Sequence, residues 1–261
     1  MMTHFYNIHR ELEQELKKSL GRLSGCRRAL LFSGGFDSML LAVLMRRYGA
    51  QVAAVTVQFD HFNPVTVASA ASLAQTLCLE HYIIRVTLPE FLEAFKTLPA
   101  LTSRPVCDLD LVVTHAALTK YDSNMAGTIF ISGMGSDQLF GSLESELPGL
   151  DEEAQHEVAA LHGYQLIFPF LSGAMKALSR SIPPAQKTGK KILHELISEE
   201  HQRLIPDRSG TREIQVPDPV RQILVRIYGG RRRTLDGDVN AQIPEIVKRI
   251  WARRKGERAE H

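Results

Sequence analysis

The chain has 261 residues, 44% of them apolar and 23% charged, with a formal net charge of +2. That length suits one core with an appended lobe, and so mild a charge excludes a chain that grips polyanions with its whole surface. Three cysteines, Cys26, Cys78 and Cys107, show no CxxC spacing, which argues against a disulfide framework or a zinc site and suits a reducing compartment such as the cytoplasm.

No apolar run approaches the roughly 18 residues of a membrane span. The opening stretch carries glutamates and no apolar block, so it does not read as a secretory signal. In it Ile8, Leu12, Leu16 and Leu20 recur every fourth residue, which predicts an amphipathic helix closed by Gly21. "ALLFS" follows as a short buried strand, then "SMLLAVLMRRYG" as a helix with Arg46 and Arg47 in its last turn. "QVAAVTVQFD" reads as a second strand. Residues 65–79 place Val67, Ala70, Ala71, Ala74, Leu77 and Cys78 on one helical face, which puts Cys78 in the core. "HYIIRVTL" is a third strand, "DLVVTHAALTKY" a helix and "GTIFISG" a fourth strand, ending in the glycine-rich turn "GMGSDQLFG".

Strands alternating with helices predict a doubly wound α/β fold whose parallel sheet holds ligands beyond the carboxyl ends of its strands. After Gly141 the pattern reads as helices alone, among them "DEEAQHEVAALHGY", "GAMKALSRSI" and "GKKILHELISEE", the last beginning at Gly189. The organisation expected is an N-terminal helix over 1–26, an α/β core over 27–141 and a helical lobe over 142–261, with Pro206 to Pro219 as a poorly structured connection.

Ser33-Gly34-Gly35, at the end of the first strand, lets successive N–H groups turn inward with no Cβ in the way. The helix beginning near Asp37 adds its positive end. Together they form a cradle for a multiply charged oxyanion. Asp37 opposes bare phosphate but suits a Mg²⁺ between the two. For Ser-Gly-Gly taken alone, a tight strand-to-helix turn with Asp37 as N-cap is the better reading; the longer string decides otherwise. No Lys-Ser/Thr follows, so this is not the G-x-x-x-x-G-K-[ST] loop.

The full string, an apolar strand, S-G-G-F-D-S and an apolar helix, resembles the pyrophosphate loop (PP-loop) of the N-type ATP pyrophosphatases. "VCDLDLVVTHAALTKYDSNMAGTIFISGMGSDQLFG" looks like the ATP-binding domain of asparagine synthetase. "FPFLSGAMKALSRSIPPAQKTGKKILHEL" resembles the segment of that family carrying K-x-x-L-R-E. The three stretches together span about Arg27 to Glu200.

This resemblance implies an adenine nucleotide alpha hydrolase-like sheet of about five strands and ATP with Mg²⁺ as cofactors. It implies that Ser33, Gly34, Gly35 and Ser38 hold the β- and γ-phosphates and that Asp37 and Asp137 hold the metal. Backbone near Val57 and at Ser132-Gly133 would contact adenosine, and Lys190 would stabilise charge in the transition state, with Lys191 one register off. The implied reaction is adenylation of a small-molecule carboxylate with release of pyrophosphate, followed by attack of ammonia or an amine. Asp108 matches the family's middle segment, although an N-cap explains it as well.

Three departures bear on that reading. The family's N-terminal glutaminase domain, with a cysteine as its second residue, has no counterpart in Met1-Met2-Thr3, so nitrogen would come as free ammonia, from the substrate, or from a separate glutaminase or sulfur-donor partner. Met134 and Gln138 replace acidic family positions, and methionine can neither accept a proton nor pair with an ammonium group. His194 stands at the family arginine, as a titratable group or a helix-surface histidine.

Two other readings stay open. Cys107 lies in the middle segment and suits either sulfur transfer or simple packing. From Arg221 to His261 there are 11 Lys/Arg against 5 Asp/Glu, which suits a grip on transfer RNA or merely solvated helix ends. A transfer-RNA- or cofactor-modifying enzyme, or a nucleotide-binding partner protein with little catalysis, are thus the alternatives.

Overall fold

The computed structural model describes residues 2–21, 27–121, 128–141, 151–198, 201, 216–229 and 239–259. Helix α1 (Met2–Gly21) buries Leu12, Leu16 and Leu20, three members of the stripe that its sequence predicts. Five parallel strands follow: β1 (Arg28–Leu31), β2 (Ala53–Phe59), β3 (Glu80–Val86), β4 (Ile129–Ile131) and β5 (Gln165–Ile167). Their order across the sheet is β3-β2-β1-β4-β5. The chain runs outward from β1 through β2 to β3, then returns to lay β4 on the other side of β1. The crevice between the ends of β1 and β4 is therefore the switch point of the sheet, where such folds hold their ligands.

The two-residue alternation of the strands builds two cores. Leu30, Phe32, Ala54, Ile129 and Ile131 face one layer, with Leu40, Leu44, Ala70 and Ala74. The last four come from helices α2 (Phe36–Arg47) and α3 (Pro64–Thr76). Ala29, Val55 and Phe130 face the other layer. That second layer continues into a cluster from α4 (Leu88–Leu101), α5 (Leu109–Leu118), α7 (Glu152–Leu161) and the C-terminal helices Asp218–Tyr228 and Val239–Ala259. Each fully buried Phe or Leu contributes roughly 1.5–3 kcal/mol. α6 (Ser136–Phe140) is the short helix after β4. α8 (Gly173–Ser181), α9 (Pro184–Lys187) and α10 (Lys191–His194) follow β5.

The expected α/β sheet of about five parallel strands with a C-terminal helical lobe is what the chain forms. Three local expectations are corrected. The stretch after Gly141 is not helices alone, because Gln165–Ile167 pairs with Ile129–Ile131 as the fifth strand. Cys78 is exposed rather than core: α3 ends at Thr76, and Cys78 turns the chain outward at φ 51°. The segment read as a helix from Gly189 is a 3-10 turn, Thr188–Lys190, followed by the single turn α10. The helix α4, which the sequence reading passed over, begins with a capping box in which Thr87 and Glu90 satisfy each other's backbone N–H. The expected connection at Pro206 to Pro219 lies largely outside the described residues, as do residues 230–238 of the basic stretch that begins at Arg221. Among the described residues no helix is long and apolar enough to cross a membrane.

Candidate functional site

The loop after β1 is built on one conformational demand. Gly34 has φ 73°, and a Cβ there would stand 2.8 Å from the Cα of Ala70 on α3, so only glycine fits. Around it the Gly35 N–H donates to Ser33 Oγ at 3.1 Å, Ser38 Oγ donates to the Gly35 carbonyl at 3.1 Å, and the two hydroxyls are 3.3 Å apart. Gly35 is also the N-cap of α2 and, having no side chain, offers no cap oxygen of its own to the first N–H groups of the helix, where a helix start would receive an anion.

The loop after β4 closes on the first. A Cβ on Gly133 would lie 2.9 Å from Asp37 Cβ and 3.2 Å from Ser38 N, so the two turns touch through bare backbone. Ser132 is buried; its N–H donates to the Ile167 carbonyl at 2.9 Å and its Oγ accepts from Met134 N at 3.2 Å. Here β5 acquires its purpose, since it fixes the turn that carries Gly133. Asp137 lies in the first turn of α6, whose N-cap Gly135 makes no side-chain cap.

Lys190 joins both turns from 153 residues beyond Asp37. Its Nζ donates to Asp37 Oδ1 at 2.8 Å and Oδ2 at 2.7 Å, to Ser136 Oγ at 2.9 Å, and pairs with Asp137 Oδ1 at 2.7 Å. Asp37 and Lys190 side chains are 13% and 14% exposed, whereas Asp137 is 54% exposed and opens the cluster to solvent. Burial raises the Asp37 carboxyl above its ordinary value, with Asp137 adding to that and Lys190 opposing it. Burial alone would lower Lys190, but Asp37 and Asp137 together outweigh it, so the ammonium is held charged. Lys190 reaches this place because it has a left-handed backbone (φ 56°) directly after Gly189 (φ 64°), a conformation that non-glycine residues adopt at a cost and that concentrates at functional sites. Its neighbour Lys191 is exposed.

The ring of Phe36 stacks on His194 with centroids 4.0 Å apart at 17°, and Lys190 Nζ stands 5.9 Å from the centre of the same ring. Burial, then the charge of Lys190, lowers the His194 pKa, so a neutral imidazole packs beside the charged cluster. Val57 sits on β2 two residues past the Leu31↔Val55 pair, and its carbonyl accepts from Asn63 Nδ2 at 3.0 Å. Asp108 caps α5 by accepting from Asp110 N at 2.9 Å. Cys107 is exposed at its surface, and burial of its inner part raises the thiol pKa; its charged neighbours are Lys248, Glu245 and Asp151, outside the Lys190 cluster. Met134 is partly buried against the second core, and Gln138 is exposed.

The structure thus gathers Ser33, Gly34, Gly35, Asp37, Ser38, Gly133, Asp137 and Lys190 around the ends of β1 and β4. Ser136, Phe36 and His194 as a stacking partner were missed by sequence reasoning. Ser136 and Phe36 fill variable positions between motif letters and carry no charge that would mark them. The donor set suits Mg²⁺: two carboxylates converge on one positive charge, all donors are oxygen, and such an ion commonly takes one or two carboxylates with phosphates and water completing its shell.

A family model for asparagine synthase matches residues 11–157, more than half of the chain. The 7-cyano-7-deazaguanine synthase 1 of Sphingopyxis alaskensis is 36% identical over 70 residues, which is 26% of this chain and 31% of that protein, so less than a third of that relative's length is covered. Among solved structures, the U34-tRNA thiolase NcsA from Methanococcus maripaludis aligns at 16% identity over 95% of this chain and 80% of its own, with TM-score 0.49. The NH3-dependent NAD synthetase from Campylobacter jejuni aligns at 18% identity over 96% of each chain, with TM-score 0.41. By its family match, and with a Ser-Gly-Gly loop at the switch point of its sheet, the chain belongs to the asparagine synthase family, within the PP-loop class of ATP pyrophosphatases, whose shared chemistry is ATP-dependent adenylation.

Proposed function

We propose that this chain is an adenylating ligase: it activates a substrate carboxylate with ATP, releases pyrophosphate, and passes the acyl-adenylate to ammonia or an amine. The observation that carries this reading is the convergence of Asp37, Asp137 and Lys190 within 2.7–2.8 Å at the meeting of the two glycine turns.

In this reading the Ser33–Ser38 turn and the start of α2 receive the β- and γ-phosphates through backbone N–H groups and the two hydroxyls. Asp37 and Asp137 would hold Mg²⁺, which would supply neutralisation of the departing pyrophosphate. Lys190 carries the remaining positive charge toward the reacting phosphate. Two anions must meet when a carboxylate approaches the α-phosphorus, and a fixed ammonium in a shielded crevice makes that approach tolerable. The carboxylate oxygen forms a bond to the α-phosphorus while the bond to the β-phosphate oxygen breaks. The amine then takes the carbonyl and AMP leaves. In this reading the Ser132-Gly133 backbone and the region of Val57 would contact adenosine.

Met134 and Gln138, where the family has acidic groups, favour an acceptor other than aspartate, one with less need of an ammonium partner. The local identity with a 7-cyano-7-deazaguanine synthase favours a second reading of the acceptor, in which the activated group belongs to a purine-like base. The test is to incubate the protein with ATP, MgCl2 and a panel of carboxylic acids, including heterocyclic ones, with and without ammonium or amines. Acid-dependent formation of AMP and pyrophosphate supports the ligase. ATP binding with no pyrophosphate from any acid would return the chain to a nucleotide-binding partner role.

A further inference from the structure

The two carboxylates of the site already hold a cation of the chain itself between them. Lys190 Nζ occupies both oxygens of Asp37 and one of Asp137, and its remaining contact is Ser136 Oγ at 2.9 Å. The three protons of an ammonium are thereby committed. The turn that delivers it has two consecutive left-handed residues, Gly189 and Lys190, between the single-turn helices α9 and α10. A compact charge on a four-carbon stem can leave this position without moving the strands.

We propose that Lys190 is the resident counter-cation of the nucleotide-free site and that Mg²⁺ enters only by displacing it. The inference rests on the metal-site part of the function proposed above. An ammonium and a divalent ion compete for these carboxylate oxygens, since their charges repel at contact distance. Free Mg²⁺ must evict Lys190 with nothing to receive it. Mg²⁺ carried by a triphosphate brings the anion that does receive it. Metal and nucleotide therefore bind together, and the eviction itself moves the lysine from the carboxylates to the phosphates.

The experiment titrates MnCl2 alone into the full chain and reads bound metal by electron paramagnetic resonance. The unaltered protein, Lys190→Met, Lys190→Arg and the double variant Lys190→Met/Asp137→Asn are compared. The unaltered protein and Lys190→Arg bind Mn²⁺ weakly, Lys190→Met binds it at least about tenfold more tightly, and Asp137→Asn removes that gain. Equal Mn²⁺ affinity with and without the lysine overturns the proposal. If Lys190→Met does not fold, crystals of the unaltered chain soaked in MnCl2 alone decide it. An anomalous peak between Asp37 and Asp137 overturns the proposal, and Lys190 still on both carboxylates with no peak supports it. Tight Mn²⁺–ATP binding with no gain in Lys190→Met defeats this inference alone, whereas no Mn²⁺–ATP binding by the unaltered chain defeats the metal site as well.

Discussion

Lys190 Nζ lies 2.7 and 2.8 Å from the two carboxylate oxygens of Asp37, across 153 residues of chain, with both side chains nearly buried. A buried pair of this kind is poor evidence for stability, because desolvation offsets most of its attraction. It is better explained as charge set in place for a reaction. Lys190→Met is expected to lower acid-dependent AMP formation by on the order of a hundredfold or more, the usual cost of losing one preorganised charge. Because the substitution strands the buried Asp37 carboxylate beside Asp137, its thermal midpoint should fall as well, and rates are compared well below that midpoint. Steady-state rates beside a melting curve check both halves.

Gly133→Ala tests the contact between the two turns. Its new Cβ would meet Asp37 Cβ at 2.9 Å and Ser38 N at 3.2 Å, where backbone cannot yield cheaply. The two loops would be pushed apart at the point where the nucleotide is proposed to bridge them. The expected destabilisation is about 1–3 kcal/mol, accompanied by loss of ATP affinity in a calorimetric titration. Normal ATP binding by this variant would show that the nucleotide does not span the two turns.

Acid should weaken the fold through a pair of histidines on α5 and at the end of α7. His115 is 5% exposed, and its Nδ1 is 2.9 Å from His162 Nε2. Burial, and secondarily His162, hold the His115 pKa down at about 4, and burial lowers that of His162 as well. An unfolded histidine takes its proton near 6.5, so between about pH 6.5 and 4 the unfolded chain binds a proton that the folded chain refuses. The stability is fully present above that range and falls as pH falls through it. A loss on the order of 2 kcal/mol by pH 4.5 is expected in urea midpoints. His115→Gln should flatten the dependence.

Cys107→Ser separates ligase from sulfur-transfer chemistry. With its thiol pKa raised and its charged neighbours outside the Lys190 cluster, Cys107 is placed as a protonated rim residue. The serine variant should keep AMP formation within about twofold, as expected of an exposed substitution away from the chemistry. Abolished turnover would indicate sulfur insertion instead.

What could be read in the sequence divides along physical lines. β1, β2, β3 and β4 announce themselves as apolar runs bounded by glycine or polar turns, and the Ser-Gly-Gly loop stands where only glycine fits. β5 is three residues long, Gln165-Leu166-Ile167, too short for an alternating pattern amid helical sequence. α4 was hidden by Pro89 and Pro99, although Thr87 with Glu90 three residues on is a capping-box signature that would have revealed it. Cys78 was misplaced because periodicity says nothing about where the helix stops, and α3 stops two residues earlier. The pairing of Lys190 with Ser136, and of Phe36 with His194, depends on a left-handed turn that no spacing rule encodes.

The measurement that bears most directly on the central claim is ATP–pyrophosphate exchange, run in parallel on the unaltered chain and on Asp37→Asn across a panel of carboxylic acids. The account predicts that at least one acid drives label from pyrophosphate into ATP, and that the amide variant loses this while remaining folded. Undiminished exchange in Asp37→Asn, or cleavage to ADP and phosphate in place of AMP and pyrophosphate, would contradict it.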